Sequence, residues 1–350
     1  MKKYYTRVCN FYYGNISKNL VKKKKTIPLN GDLNISFDHI EIISRESTKK
    51  IHIKNIKKLP KNLINKVNYD IKKIKKKHKN FSNFNFKDNP NIMGVLNLTP
   101  DSFSDGGKFN SKDQGYNHAK YLFKLGAKII DIGGESTRPK SKEVKASNEW
   151  NRIKKTIIKL KKKIPISLDT TKSEIMKKGI KYGVKLINDI SGLRNDRETI
   201  SLLSNKKIPF VIHHTQGTPE DMQNNPKYKN VLLDIYDFFE ERISYIRQNK
   251  IKHNNIILDP GIGFGKNLKH NMKLITGISI FHSLGFPVML GMSRKSFINK
   301  ISGINGSKKK LGGTVGSCLF TMMQGVQILR IHDVNEVLQG IKVFKKLNKE

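Results

Sequence analysis

The 350-residue chain is 37% apolar and carries 68 Lys and Arg against 28 Asp and Glu, a formal net charge of +40. It has room for one large domain and a small addition. A membrane span, a disulfide framework and a zinc site are excluded: no apolar run nears roughly 18 residues, Met1 to Leu20 lacks the apolar core of a secretory signal, and Cys9 and Cys318 stand alone, so a cytoplasmic, reducing setting is expected.

Residues 1–88 and 89–350 read as two regions. The first is the more basic, since residues 1–90 hold 23 Lys and Arg against 6 Asp and Glu, and the rest hold 45 against 22. The excess is nonetheless spread end to end, and not gathered with arginines and aromatics as at a nucleic-acid site. It reads as a solvated surface, with neither nucleic acid nor a membrane as a partner. Leu33, Ile35, Phe37, Ile40 and Ile42 have the spacing of a short strand or hairpin over Leu33–Ile43. In the lysine-rich stretch that follows, Leu59, Leu63, Ile64, Val67, Ile71 and Ile74 fall at helical spacing. No chemistry is legible there, and Asn80 to Pro90 reads as a polar linker carrying Phe81, Phe84 and Phe86.

From Asn91 one unit repeats: a short apolar run, a cluster of Gly, Asp, Asn and Ser, then a helical segment. The eight runs are Ile92–Leu96, Lys128–Ile132, Ile164–Leu168, Val184–Ile187, Pro209–Ile212, Asn255–Leu258, Phe286–Leu290 and Gln327–Ile331. Helical segments between them include Asn117–Leu125, Glu149–Lys161, Glu174–Tyr182, Leu232–Arg247 and Leu319–Gly325. Such alternation implies a parallel sheet. Eight units in about 250 residues predict an α/β fold, a (β/α)8 TIM barrel, with an open doubly wound sheet as the alternative.

Barrel enzymes build their sites at the C-terminal ends of the strands. There the sequence places Asn97, Asp131 to Arg138, Asp169, Asn188 and Asp189, His213 and His214, Asp259, Ser293 to Ser296, and Arg330 and His332. Any one of these suits a helix cap or a turn; all eight together mark a functional site. Asp169, Asn188 and Asp259 are acceptors suited to a heterocycle with several N–H donors, because a carboxylate accepts two parallel hydrogen bonds from an amino-pyrimidinone edge. Arg138, Arg294, Lys295, Arg330 and His332 form a cationic rim suited to phosphate or carboxylate. The string GIGFGK (Gly261–Lys266) lacks P-loop spacing, and Asp259-Pro260 before it does not fit a Rossmann turn, so a loop in close approach to a ligand is expected. Leu311 to Gly325, rich in small residues, reads as a packing helix.

The strings MGVLNLTPDSFSDGGKF (Met93–Phe109) and IIDIGGESTRP (Ile129–Pro139) resemble the two signature segments of dihydropteroate synthases. ISLDT, LINDISGL, HTQGTPEDMQ, LDPGIGFGKN, LGMSRKSFI and ILRIHDV follow in that family's order, over about residues 91–345. The resemblance implies a transferase of folate biosynthesis that condenses 6-hydroxymethyl-7,8-dihydropterin diphosphate with para-aminobenzoate, uses Mg2+, forms a homodimer and is a sulfonamide target. It further implies that Asp169, Asn188, Asp259 and Lys295 hold the pterin, and that Asn97 sits on Mg2+ and the diphosphate with Thr137, Arg330 and His332. Phe103, Arg138, Pro139, Phe264 and Ser296 would line the aminobenzoate pocket. The implied mechanism is largely dissociative: diphosphate leaves, its charge neutralised by Mg2+, Arg330 and His332, and the aromatic amine captures the pterin methylene cation. Asp169, Lys295, Arg330 and His332 would then be the catalytic set. Residues 1–88 resemble the extension before the barrel in some alphaproteobacterial members, not the pyrophosphokinase domain fused to the enzyme in many eukaryotes.

One residue departs from the family pattern. His213 stands where many members carry Met, and strand periodicity puts Val211, His213 and Thr215 on one face, which the family comparison turns toward the pterin. Either the imidazole stacks on the ring, so that activity falls as pH drops through the histidine range, or it is a polar residue tolerated at the pocket edge. Two other functions fit parts of the sequence. A methyltetrahydrofolate-dependent methyltransferase barrel shares a similar Asp/Asn set but lacks the NLTPDSFSDGG and SRKS strings, and a basic nucleic-acid-binding protein would use the charge alone.

Overall fold

A computed structural model of the chain describes residues 3–99, 113–139, 141–304, 306 and 308–348. In the first region β1 (Tyr5–Tyr13), β2 (Ile27–Leu29) and β4 (Thr48–His52) all pair antiparallel with β3 (Asp32–Ile43). Helices α1 (Gly14–Lys22) and α2 (Lys61–Ile74) complete it. The alternating run lies in β3, and the helical stripe is α2, whose Val67, Ile71 and Ile74 share a core with Val8, Phe37 and Ile40. Strand β1 has no clear alternation in sequence because both its faces are covered. Val8 turns to this small core, while Tyr5 meets Tyr236 of the barrel edge-on at 5.1 Å. The Ser279 hydroxyl donates to the Val8 carbonyl at 2.8 Å, and Arg45 donates to Asp234 and Asp237, each at 2.7 Å.

The second region is a closed barrel of eight parallel strands: β5 (Asn91–Asn97), β6 (Ile129–Gly133), β7 (Ile166–Asp169), β8 (Leu186–Asp189), β9 (Phe210–His213), β10 (Ile256–Asp259), β11 (Met289–Leu290) and β12 (Ile328–Ile331). The hydrogen-bonded order β10-β9-β8-β7-β6-β5-β12-β11 closes on itself where Leu258 bridges Val288 and donates to the Pro287 carbonyl at 2.9 Å. That closure rules out the open sheet. Around it lie α3 (Gln114–Lys124), α4 (Ala146–Leu160), α5 (Ser173–Lys181), α6 (Glu198–Lys206), α7 (Val231–Gln248), α8 (Leu268–Gly277), α9 (Ser296–Ser302), α10 (Leu311–Met322) and α11 (Val334–Leu347). The last predicted helical segment thus begins eight residues earlier than Leu319, in the small-residue run. Strand β11 is shorter than its apolar run, since Pro287 has no N–H to give a ladder.

Side-chain direction alternates along each strand. Ile130, Leu168, Ile187, Ile212, Leu258 and Leu329 pack outward under the helices. Met93, Ile129, Leu186, Val211, Ile257 and Ile328 point into the barrel. Phe84 and Phe86, from the stretch that reads as a linker, join that inner layer and plug the barrel's N-terminal end. Two residues further along the same strands the inward face carries Asp131, Asn188, His213, Asp259 and Arg330, so a polar layer rests directly on an apolar one. Among the described residues no helix is long and apolar enough to cross a membrane.

Candidate active site

Strand register fixes which of these side chains meet. Asn97 is paired with Gly133, Gly133 with Asp169, and Asp169 with Asn188; on the far side Asp259 is paired with His213. Gly133 leaves the gap that Asn97 and Asp169 share: a Cβ there would lie 3.4 Å from the Asp169 Cβ and 3.6 Å from Asn97 Oδ1.

Arg330 binds the floor together. Its Nε donates to Asp131 Oδ2 at 2.7 Å, its second nitrogen donates to Asp169 Oδ2 at 2.7 Å, and Asn188 Nδ2 donates to the same Asp131 oxygen at 2.9 Å. Burial works against the guanidinium's charge, but Asp131 and Asp169 outweigh it and hold Arg330 protonated. Burial pushes the Asp169 carboxyl up to about 7, with Arg330 opposing the rise. It likewise pushes Asp259 up to about 6, although the Gly261 N–H donates to Asp259 Oδ1 at 2.8 Å. Asp131 Oδ1, Asp169 Oδ1 and Asn188 Oδ1 are buried and have no hydrogen-bond donor among the described residues. The floor therefore presents acceptors to a ligand that brings N–H donors.

The wall opposite is aromatic and cationic. Lys295 Nζ sits 4.0 Å from the centroid of Phe264, and His213 meets that ring edge-on at 4.6 Å. Burial lowers the Lys295 amine to about 8, with Arg330 adding to the shift. His213 Nδ1 lies 3.1 Å from the Ile190 carbonyl, which makes Nδ1 the protonated nitrogen. Burial, then Lys266 and Lys295, hold the His213 imidazole well below its usual range. The lowering favours the neutral imidazole, which weighs against an acid limb from this residue. Phe264 itself is buried beside Ile190 and Met222.

The cationic rim is smaller than the sequence suggested. Arg294 is held bidentate by Asp333, at 3.0 and 2.5 Å. Arg330 lies in the floor. His332 Nδ1 faces Ser293 Oγ at 3.1 Å, and burial followed by the neighbouring arginines lowers its imidazole to about 3, so it is a neutral group in this site. Arg138 and Pro139 are exposed at the mouth, as is Ser296. Thr137 is half-buried and shares a cleft of about 200 Å³ with Asp169, Thr170, Ser191 and Thr215. Phe103 lies outside the described residues.

Two glycines of GIGFGK approach protein backbone closely, and the third, Gly263, faces the Lys295 side chain. At positive φ, a Cβ on Gly261 would fall 2.0 Å from the His214 carbonyl oxygen, and one on Gly265 2.6 Å from that of Gln216. Two residues escaped the sequence reading as site members. Asp131, counted there only as part of a cluster, is the inward carboxylate inside an otherwise apolar strand, and that position was its signal. Lys266 is buried with three acceptors for its three N–H groups: the Phe264 carbonyl at 2.7 Å, His214 Nδ1 at 3.0 Å and the His214 carbonyl at 3.3 Å. Sequence spacing gave no hint that it turns inward. Among the described residues no group of three His, Cys, Asp or Glu could hold a metal ion.

Comparison with known proteins agrees with this geometry. Residues 93–332 match the family model described as pterin binding enzyme. The dihydropteroate synthase of Escherichia coli strain K12 is 39% identical over 258 residues, which are 73% of this chain and 91% of that enzyme. The solved dihydropteroate synthase of Yersinia pestis, in a sulfonamide drug complex, superposes with a TM-score of 0.71 at 37% identity, covering 75% of this chain and 95% of that one. The Xanthomonas albilineans enzyme in complex with 7,8-dihydropteroate gives 0.68 at 30% identity, over 75% and 95%. The chain belongs to the dihydropteroate synthase family of pterin binding enzymes.

Proposed function

We propose that the chain joins 6-hydroxymethyl-7,8-dihydropterin diphosphate to para-aminobenzoate in folate biosynthesis, giving 7,8-dihydropteroate and diphosphate. The observation that carries the reading is the buried floor, with its acceptor oxygens on Asp131, Asp169 and Asn188 that lack donors among the described residues. Buried acceptors are costly unless a ligand supplies the donors, and an amino-pyrimidinone edge supplies several. Asp169, Asn188 and Asp259 would take that edge, with His213 and Lys295 against the ring. Thr137, Arg330 and His332 would face the diphosphate, and Arg138, Pro139, Phe103, Phe264 and Ser296 the aminobenzoate. In the reaction the C–O bond to diphosphate breaks, the amine nitrogen bonds to the pterin methylene carbon, and the amine proton passes to solvent. The floor's part is to orient the ring and shield the methylene carbon from water.

The donor set fits a Mg2+ that arrives with substrate. Asn97 offers one hard amide oxygen beside Asp169, and diphosphate oxygens and water would complete the shell. Bound there, the ion would supply charge neutralisation for the departing diphosphate. We place the protein in the cytoplasm, with residues 1–88 as an extension and 89–350 as the catalytic barrel. A homodimer would form through α10, where a Cβ added at Gly312 or Gly316 would meet nothing within 4 Å and Phe320 is 44% exposed. Sulfonamides would compete with para-aminobenzoate. The test is dihydropteroate formation by the wild type, set beside Asp169→Ala and checked for retained fold by circular dichroism. Turnover lost only in the variant supports the assignment; a folded variant with near-normal turnover contradicts it.

A further inference from the structure

Lys172 lies three residues beyond Asp169, immediately before α5, and its side chain is only 13% exposed. Its ammonium donates to Glu135 Oε2 at 2.5 Å and to Glu149 Oε2 at 2.9 Å. Glu149 belongs to the first turn of α4 and its side chain is fully buried. Glu135 stands in the loop between β6 and α4, and its other oxygen accepts the Val144 N–H at 2.7 Å. One carboxylate thus closes the segment 135–144 on itself, and one lysine fixes that carboxylate to α4 and to the end of β7.

The rest of the loop is tied in the same way. Arg152 donates to the Gly134 carbonyl at 2.8 Å, and Ser141 Oγ reaches the Ser136 and Arg138 carbonyls at 2.6 and 2.7 Å. What remains at the tip is Thr137, Arg138 and Pro139, which carry no side-chain hydrogen bond to the scaffold among the described residues. Thr137 lines the cleft beside Asp169, and the placement of this tip depends on the stem below. Without the lysine, Glu135 and Glu149 would be left with no cation between them, and the stem would lose the tie that joins it to α4 and to the end of β7.

From this geometry we propose that Lys172, with Glu135 and Glu149, is a positioning clasp that sets Thr137–Pro139 over the site for the diphosphate and the aminobenzoate. The inference rests on the proposed function and adds residues to which that reading gives no substrate contact. It separates two ligand sets: the clasp governs groups met at the mouth, while the pterin ring is held by Asp169, Asn188 and Asp259 on the strands.

The experiment compares wild type, Lys172→Met and Lys172→Arg in steady-state kinetics, with calorimetric titration of the pterin alcohol that lacks the diphosphate. Lys172→Met should raise KM for para-aminobenzoate and for the pterin diphosphate by about tenfold or more, since misplacing a positioning group by about an ångström costs up to about 100-fold. Its affinity for the pterin alcohol should stay within about twofold of wild type, and Lys172→Arg should recover most of the loss. Should the methionine variant fail to fold, Glu135→Gln keeps the acceptor for Val144 while removing the charge, and it should show the same split. Unchanged KM values, equal losses for the pterin alcohol and para-aminobenzoate, or no recovery in the arginine variant would overturn the clasp. Absence of dihydropteroate from the wild type would instead overturn the functional reading, and the clasp's role with it.

Discussion

Replacing Arg330 by methionine removes a cation that touches both Asp131 and Asp169, at 2.7 Å each. The Arg330 side chain is 17% exposed and those of Asp131 and Asp169 are 0% and 5% exposed, so solvent screens the loss little. Breaking a buried pair by removing one partner costs about 3–5 kcal/mol, or roughly 5–10 °C in Tm for a domain of this size. The loss should depend on pH in a definite direction. Asp169 is pushed up to about 7 from its ordinary 3.8, so between those values the folded state binds more protons than the unfolded state. Stability contributed by this group therefore falls as pH rises from about 4 to 7. Removing Arg330 takes away the charge that opposes the shift, so the penalty of ionising Asp169 grows. Melting curves of wild type and Arg330→Met at pH 5.0 and 8.0 give the test. The variant should lose markedly more Tm at 8.0 than at 5.0, where a protonated Asp169 no longer needs the arginine. An equal loss at both would show that Arg330 is not neutralising the floor.

Three further outcomes are expected. Asp259→Ala should keep the fold and lose turnover by at least about 100-fold, because acceptors buried against the heterocycle are removed; circular dichroism with an activity assay checks both halves. His213→Met should leave the acid limb of the pH–rate profile unmoved, since burial favours the neutral imidazole, and the limb should follow Asp169 and Asp259, which burial pushes up to about 7 and about 6; a flattened limb in the variant would restore His213 to the titrating set. Phe84→Ala should cost about 3–5 kcal/mol in denaturant unfolding, as a fully buried ring is cut from the barrel's plug; a loss under about 1 kcal/mol would make the segment the linker its composition suggests.

The sequence shows the barrel strands because each is buried on both faces and stands as a short apolar run ending in polar residues. Register was not visible, and register is what places Gly133 between Asn97 and Asp169. Pairing among charges was hidden for the same reason. Asp131, Asp169 and Arg330 are 38 and 161 residues apart in succession, and only closure of the sheet brings β12 beside β5 and the arginine onto both acids. Composition misled at the ends of the molecule. Asn80 to Pro90 is polar by count, yet Phe84 and Phe86 do the packing, and β1 lost its alternation because the barrel covers its second face. His332 looked cationic beside Arg330; the same neighbours, with burial, are what keep it neutral.

The central claim is tested most directly by following both products at once. Purified wild-type protein is given the pterin diphosphate, para-aminobenzoate and Mg2+, and dihydropteroate and diphosphate are quantified over time. The account requires the two to appear in equal amounts, and to do so only when both substrates are present. Diphosphate released at the same rate without para-aminobenzoate, or no dihydropteroate from folded protein, would contradict it.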